Sequence, residues 1–118
     1  AAVFMESRSK FIGYILPVKT EAEAVDFLNS IRQKHWDATH NVYAYVIREG
    51  AVRFSDDGEP SGTAGQPVLE VLKKEGLANV CVVVTRYFGG ILLGAGGLVR
   101  AYAKSAKLAV EEAGIVHM

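Results

Sequence analysis

The run Val80–Val84 constrains the fold of this chain more than any other segment. It reads Val-Cys-Val-Val-Val, and β-branched residues of this kind favour extended strands. Because the run is apolar on both faces, we predict a central strand over Asn79–Thr85. Cys81 is the one cysteine of the chain, which excludes an internal disulfide and a cysteine-based zinc site. We expect it to be a small buried hydrophobic residue.

Hydrophobic periodicity and turn residues predict the other elements. The first strand leads to a helix with Thr20 as its N-cap, and a central hairpin turns at Glu49-Gly50. Gly76 and Gly114 end the second and third helices. The predicted elements are a strand over Lys10–Val18, a helix from Thr20 that fades near Lys34–Trp36, strands over Asn41–Arg48 and Val52–Ser55, a helix over Pro67–Glu75, the central strand, a helix from near Leu98 to Gly114, and a short strand at Ile115-Val116.

This element order, β-α-β-β-α-β-α, indicates a single α+β domain over residues 1–118. Segregated helices and a partly antiparallel sheet predict a two-layer sandwich. We expect a mixed sheet of about four strands with the helices on one face. The central hairpin argues against a purely parallel, doubly wound fold.

The charge balance limits the kinds of partner. Thirteen basic residues match thirteen acidic ones, so the formal net charge is zero, whereas a general nucleic-acid binder carries an excess of Lys and Arg. Any contact with RNA must therefore use a local basic patch. No apolar run reaches the length of about 18 residues that a membrane helix needs. The chain start also lacks the layout of a secretory signal, so we expect a cytoplasmic protein without a membrane partner.

A glycine-rich loop, Gly89–Gly97, joins the predicted central strand to the last helix. Glycine permits positive φ and close approach to the backbone, and the free N–H groups at a helix start can bind an anion. Contact with phosphate or a nucleic-acid backbone is one interpretation, and tight packing of strand against helix is the other. The loop matches neither the phosphate-loop nor the dinucleotide-binding fingerprint. The candidate residues, including flanking cations, are Arg86, Gly89, Gly90, Gly94, Gly96, Gly97, Arg100 and Lys104.

A second loop, Ser55–Gly65, carries three acids within four residues, namely Asp56, Asp57 and Glu59. Paired carboxylates can bind Mg²⁺ or share a proton. The further oxygen ligands of a calcium loop are missing from the sequence. We therefore favour an exposed turn whose acids cap backbone N–H groups.

Hydroxyl, imidazole and aromatic groups complete the candidate set. Ser61 and Thr63 lie beside glycines, but no Gly-x-Ser-x-Gly elbow is present, and Thr63 is more simply the N-cap of the second helix. Of the three histidines, only His40 lies in a plausible loop position for catalysis, and the sequence does not identify the side chain that would be its partner. Tyr87 is the best candidate for stacking on a base, because it lies beside Arg86 and the glycines. We predict no catalytic residue, metal site or cofactor.

Three segments together resemble the IMPACT/YigZ family: Ala38–Tyr45, Arg53–Gly65 and Val84–Leu98. The early Ser9-Lys10-Phe11-Ile12 also fits, so the resemblance covers nearly the whole chain. It implies a fold similar to the fourth domain of elongation factor G and to domains of small-subunit ribosomal proteins. Bacterial members typically carry a second, C-terminal domain and eukaryotic members a separate N-terminal one. We expect this chain to be the isolated family domain.

The resemblance also implies a role in translation. Eukaryotic members are cytoplasmic regulators that restrain an amino-acid-starvation kinase by competing for its activator, whereas no established reaction comes with the bacterial members. We therefore expect a non-enzymatic binding module whose partner is RNA, the ribosome or a translation-regulatory protein. The alternative is a small hydrolase or phosphotransferase that uses Asp56, Asp57 and Glu59 with a bound phosphate.

Overall fold

The computed structural model describes residues 1–114, which form an α+β fold. The described elements are β1 (Ala2–Glu6), β2 (Ser9–Pro17), α1 (Glu21–Lys34), β3 (His40–Val46), β4 (Val52–Ser55), α2 (Gly65–Lys74), β5 (Val80–Tyr87) and α3 (Gly94–Ala113). Thr20 caps α1 as predicted, since its hydroxyl oxygen accepts a hydrogen bond from the Glu23 amide. The predicted strand at Ile115-Val116 lies outside the described residues.

The strands form one sheet in the order β1-β2-β5-β3-β4. The predicted central strand is β5, where Val84 pairs with Gly13 of β2 on one side and with Val42 of β3 on the other. Because β2 and β3 both run antiparallel to β5, they are parallel to each other, and α1 makes the crossover between them. The described sheet thus has five strands instead of about four, and all its neighbouring pairs are antiparallel instead of mixed.

Helices cover both faces of the sheet. The α2 and α3 helices pack on the face of β5 that carries Val82 and Val84, and α1 packs on the face that carries Cys81 and Val83. All four of these side chains are fully buried. The α+β class is confirmed, but the expected placement of the helices on one face is corrected. A central strand that is apolar on both faces needs a cover on each of them.

The edge strand β1 is absent from the predicted elements, and its connection to β2 explains why. Ser7 and Arg8 form the turn with φ angles of 48° and 65°, a conformation in which hairpins usually place Gly, Asn or Asp. The sequence therefore has no turn signal at this point. In addition, Phe4 packs into the core below α3, whereas Val3 and Met5 are exposed, so the strand is apolar on both faces without an alternating pattern.

Helices α2 and α3 begin earlier than the hydrophobic pattern indicates, and both additions contain glycine. The first residue of α2 is Gly65, where an added Cβ would lie 2.7 Å from the backbone of Ser55. Glycine therefore lets the start of α2 lie directly against β4. Helix α3 begins at Gly94 instead of near Leu98, although three of its first four residues are glycines, which have low helix propensity.

Candidate functional site

The two predicted loops meet at one cavity of about 300 Å³, which we call the apolar pocket. The Ser55–Gly65 loop contributes Glu59 and Pro60 to its lining, and the Gly89–Gly97 loop contributes the segment from Leu92 to Ala95. Thr39, His40 and Arg86 complete the polar part of the lining. The side chains that form most of the wall are Pro60, Phe88, Leu92, Leu93 and Leu98.

A buried carboxylate, Glu59, lies at the floor of the apolar pocket, and its side chain is only 4% exposed. Arg86 Nη1 donates to Glu59 Oε2 at 2.7 Å, and the Tyr102 hydroxyl donates to the same oxygen at 2.5 Å. Burial and the bond to Glu59 raise the pKa of Tyr102 well above its usual range, so its hydroxyl remains a proton donor. The expectation of an exposed acidic turn is therefore wrong for Glu59.

The Arg86 side chain uses its hydrogen-bond donors inside the molecule. Besides the bond to Glu59, its Nε and Nη2 atoms each donate to Ser9 Oγ at 3.2 Å. The guanidinium lies between the rings of Phe11 and Phe88, at 5.5 and 5.3 Å from their centroids. The Gly89 amide donates to Ser9 Oγ as well, at 3.3 Å. Arg86 and Ser9 thus hold the start of the glycine-rich loop from below.

His40 connects the acidic loop to the floor of the apolar pocket. Its Nδ1 atom lies 2.8 Å from the backbone oxygen of Asp57, and its Nε2 atom lies 3.3 Å from Glu59 Oε1. Both of these oxygens are hydrogen-bond acceptors. His40 therefore links the backbone of the acidic loop to the Glu59 carboxylate through its two ring nitrogens.

A second cavity of about 320 Å³, which we call the basic pocket, lies on the other side of Leu92 and Leu93. Arg100 and Lys104 line it, together with Gly97, with Ser7 of the β1–β2 turn and with Glu6, the one acidic residue of the lining. Neither cation forms a salt bridge within residues 1–114. The Lys104 ammonium lies 4.7 Å from the centroid of the Phe4 ring, which fixes its position above the pocket.

The start of α3 lies between the two pockets and is accessible. Gly94, Ala95 and Gly96 are exposed, and the N-cap residue Leu93 provides no side-chain hydrogen bond to the helix start in the described chain. The first turn also contains no acidic residue. Free N–H groups and the helix dipole therefore give this end of α3 a positive potential.

Asp56 and Asp57 bind backbone amides, as the capping interpretation predicts. Asp56 Oδ1 accepts from the amides of Ala64 and Gly65 at 3.1 and 2.8 Å, and its Oδ2 accepts from Gly62. Asp57 Oδ2 accepts from the amide of Asn41 at 2.6 Å. These carboxylates fix the acidic loop to the start of α2 and to β3.

Thr63 is not the N-cap of α2, because that position is occupied by Ala64. The Thr63 hydroxyl instead donates to the backbone oxygen of Pro60 at 2.5 Å. Asp56 performs the capping function from eight residues upstream of Ala64, a separation at which no local sequence pattern reveals it.

Tyr87 lies on the opposite face of β5 from Arg86, away from both pockets. Its hydroxyl donates to Asp37 at 3.1 Å and lies 2.7 Å from Nδ1 of His35. His35 Nε2 in turn contacts the hydroxyl of Tyr14. Burial lowers the pKa of His35, and the charge of Lys34 lowers it further, so the neutral ring is favoured.

The structure therefore divides the predicted site residues into groups. His40, Glu59, Arg86 and Gly94 line the apolar pocket. Gly97, Arg100 and Lys104 line the basic pocket. Outside both linings are Asp56, Asp57, Ser61, Thr63, Tyr87, Gly89, Gly90 and Gly96.

The apolar wall is the part of the site that the sequence reasoning missed. Within this wall Leu92 is 85% exposed and Phe88 is 44% exposed, and the neighbouring Ile91, outside the lining, is also 44% exposed. Large apolar residues within a glycine-rich loop are the sequence signal that points to such a surface.

Among residues 1–114, no group of three His, Cys, Asp or Glu side chains is placed to hold a metal ion. No helix in this part of the chain is long and apolar enough to cross a bilayer.

Comparison with known proteins connects this site to a family. The model of the Impact N-terminal domain matches residues 7–110, which include both loops. The chain belongs to the IMPACT family. It is 56% identical over 111 residues to the IMPACT family member YvyE of Bacillus subtilis, and the match covers 92% of this chain and 51% of that protein.

Solved structures support the same assignment. A crystal structure of a hypothetical protein superposes with a TM-score of 0.89 at 40% identity, covering 94% of this chain and 56% of that one. The two-domain translational regulator Yih1 superposes with a TM-score of 0.60 at 26% identity, covering 94% of this chain and 45% of that one. The chain thus spans about half the length of these proteins. Yih1 is a translational regulator, which supports a context of translation regulation within the family.

Proposed function

We propose that this chain is a non-enzymatic binding module of translation control that works in the cytoplasm and contacts RNA, free or within the ribosome, through the basic pocket. The observation that carries the proposal is the combination of Arg100 and Lys104 in one cavity. Both cations lack a salt-bridge partner among residues 1–114. Unpaired cations beside a positive helix start suit the phosphate groups of a nucleic acid.

The neutral net charge is compatible with this role because the contact is local. Arg100 and Lys104 lie on adjacent turns of α3 and face the same cavity. A phosphate at this place would meet both cations next to Gly97 of α3. Relatedness to a translational regulator supports RNA or ribosomes as the partner.

The environment of the acids favours binding over catalysis. Asp56 and Asp57 accept hydrogen bonds from backbone amides, and Glu59 is buried against Arg86. Each of these contacts stabilises the acidic loop. A hydrolase or phosphotransferase that used these carboxylates would have to break the contacts that hold them in position.

The test is the binding of the chain to a mixed-sequence single-stranded RNA and to purified ribosomes at several salt concentrations. For single strands, the logarithm of the binding constant falls with the logarithm of salt by about 0.7 per phosphate contact. Replacing both Arg100 and Lys104 with Ala should therefore weaken binding and reduce this slope by about 1.4.

The matched control replaces Lys73 and Lys74 with Ala. These lysines are exposed at the end of α2, so the control changes the net charge equally while the basic pocket stays intact. The control should bind like the unmodified chain. Equal losses in the two double variants, or failure of the unmodified chain to bind at low salt, would contradict the proposal.

A further inference from the structure

We propose that the apolar pocket is a docking site for a protein segment that presents one large apolar side chain next to a carboxylate. This site is separate from the proposed RNA contact, because Leu92 and Leu93 divide the apolar pocket from the basic pocket. Either proposal can therefore fail without the other.

The first argument is the exposure of apolar surface around the pocket. Leu92 is 85% exposed, and Phe88 and Ile91 are each 44% exposed, although all three belong to one short segment. Contiguous apolar side chains on a surface loop are characteristic of an interaction site. The cavity of about 300 Å³ is at the lower end of ligand pockets, which suits one large side chain.

The second argument is charge complementarity. At the floor, the charges of Arg86 and Glu59 pair at 2.7 Å and offset each other. At the rim, the N–H groups of Gly94 and Ala95 lie at the positive end of α3. The positive end of α3 is therefore the charge left unpaired beside this apolar cavity, and a carboxylate next to the inserted side chain complements it.

The same features favour a protein segment over a nucleic acid. Three of the five N–H donors of Arg86 go to Ser9 and Glu59, and the side chain is only 5% exposed, so the floor has few groups that could read the polar edge of a base. The walls instead offer the apolar contacts that an aliphatic or aromatic amino-acid side chain needs. In protein interfaces, a few anchor side chains that fill desolvated pockets contribute most of the binding energy.

The test is a titration of the ¹⁵N-labelled chain with three capped peptides, followed by amide shifts in two-dimensional NMR spectra. The probes are Ac-Gly-Leu-Asp-Gly-NH2, Ac-Gly-Leu-Asn-Gly-NH2 and Ac-Gly-Ala-Asp-Gly-NH2. The Leu-Asp peptide should shift the amides of Phe88, Gly94, Ala95 and Leu98. Exchange of Leu for Ala should weaken binding about tenfold, and exchange of Asp for Asn about two- to fivefold.

A variant that fills the pocket provides the structural control. Ala95 is exposed and lines the apolar pocket, so Ala95→Trp should block it and abolish the peptide shifts. Ala22→Trp places the same side chain at the same position of α1, its second residue, and should leave binding unchanged. Well-dispersed spectra of both variants show that they are folded.

Any of four results would overturn the proposal. The first is a lack of shifts at the pocket residues with millimolar Leu-Asp peptide. The second is equal binding by the Leu-Asp and Ala-Asp peptides, which would remove the apolar anchor from the model. The third is unchanged binding by Ala95→Trp. Equal affinity for the Leu-Asp and Leu-Asn peptides would refute the charge complementarity and leave no basis for the stated partner.

Discussion

Arg86 keeps its charge in a side chain that is only 5% exposed, and this environment determines what the residue can do. A buried charge is tolerated only when partners replace the water that it has lost. Glu59 supplies the opposite charge, and Ser9 accepts two further hydrogen bonds. Arg86 is therefore best placed to hold the glycine-rich loop, while the exposed cations Arg100 and Lys104 face the solvent side of the site.

We predict that Arg86→Ala lowers the free energy of unfolding by about 3–5 kcal/mol, since it leaves the Glu59 carboxylate buried without its counter-ion. Urea denaturation followed by circular dichroism measures the change. The control is Arg32→Ala, which removes an exposed guanidinium 5.6 Å from the Tyr43 ring and should cost about 1 kcal/mol or less. Similar losses in the two variants would show that the Arg86–Glu59 pair contributes little.

A second prediction at this scale concerns His35. Burial lowers the pKa of His35 in the folded state, so its contribution to stability is fully present above the unfolded value of 6.5. The contribution is lost as the pH falls through 6.5 toward the lower folded pKa. We expect the free energy of unfolding to decrease between pH 7.5 and 5.5, and to decrease less in His35→Gln. Urea titrations at these pH values test this, and identical pH profiles for the two proteins would contradict it.

At the scale of elements, the glycines of the Gly89–Gly97 loop have different physical roles. An added Cβ at Gly89 would lie 1.9 Å from the Arg8 backbone oxygen, so this glycine allows the loop to lie against the β1–β2 turn. At Gly96, by contrast, the nearest atom is the flexible end of the Arg100 side chain at 3.3 Å. Tight packing therefore explains the glycine at Gly89, whereas the space around Gly96 does not require a glycine there.

We accordingly predict opposite effects of two alanine substitutions on stability. Gly89→Ala should lower the free energy of unfolding by about 1–3 kcal/mol, because the β1–β2 turn must move. Gly96→Ala lies within α3 and should raise it by about 0.5–1 kcal/mol through higher helix propensity. Thermal and urea unfolding of the two variants provide the comparison. A loss at Gly96 as large as that at Gly89 would indicate a packing constraint that the structure does not show.

Helix α2 depends on a cap that comes from outside its own sequence. Asp56 binds the amides of Ala64 and Gly65, so we predict that Asp56→Ala lowers the free energy of unfolding by about 2 kcal/mol. Asp56→Asn keeps one acceptor oxygen and should lose less. Urea denaturation gives both values, with the exposed Asp26→Ala as the control. Equal stability of Asp56→Ala and Asp26→Ala would mean that α2 does not need this carboxylate.

At the scale of the whole molecule, the sequence predicts what depends on local pattern. The strand at Val80–Val84 and the cap at Thr20 follow from residue types alone, and the structure contains both. The same valine run could also have predicted helices on both faces of the sheet, because a strand that is apolar on both faces must be covered on both. Strand β1 was not predicted because Ser7 and Arg8, which form its turn to β2, adopt positive φ angles although neither is a typical turn residue at such angles.

The candidate site was predictable in position but not in composition. The loop segments were identified from their glycines and acids, whereas the contacts of Glu59 join residues far apart in the chain. Its partners His40, Arg86 and Tyr102 lie 19, 27 and 43 positions away. Distances of this kind are set by the folding of the entire sheet and are not encoded in any local spacing.

The partition formed by Leu92 and Leu93 has a consequence for how the two cavities behave together. A movement of these side chains that enlarges the apolar pocket reduces the basic pocket, and the reverse, because both pockets are lined by Leu92 and Leu93. Two ligands that favour opposite positions of Leu92 and Leu93 would therefore compete, although they bind in different pockets and do not contact each other. Thermodynamic reciprocity requires each guest to weaken the affinity for the other by the same factor.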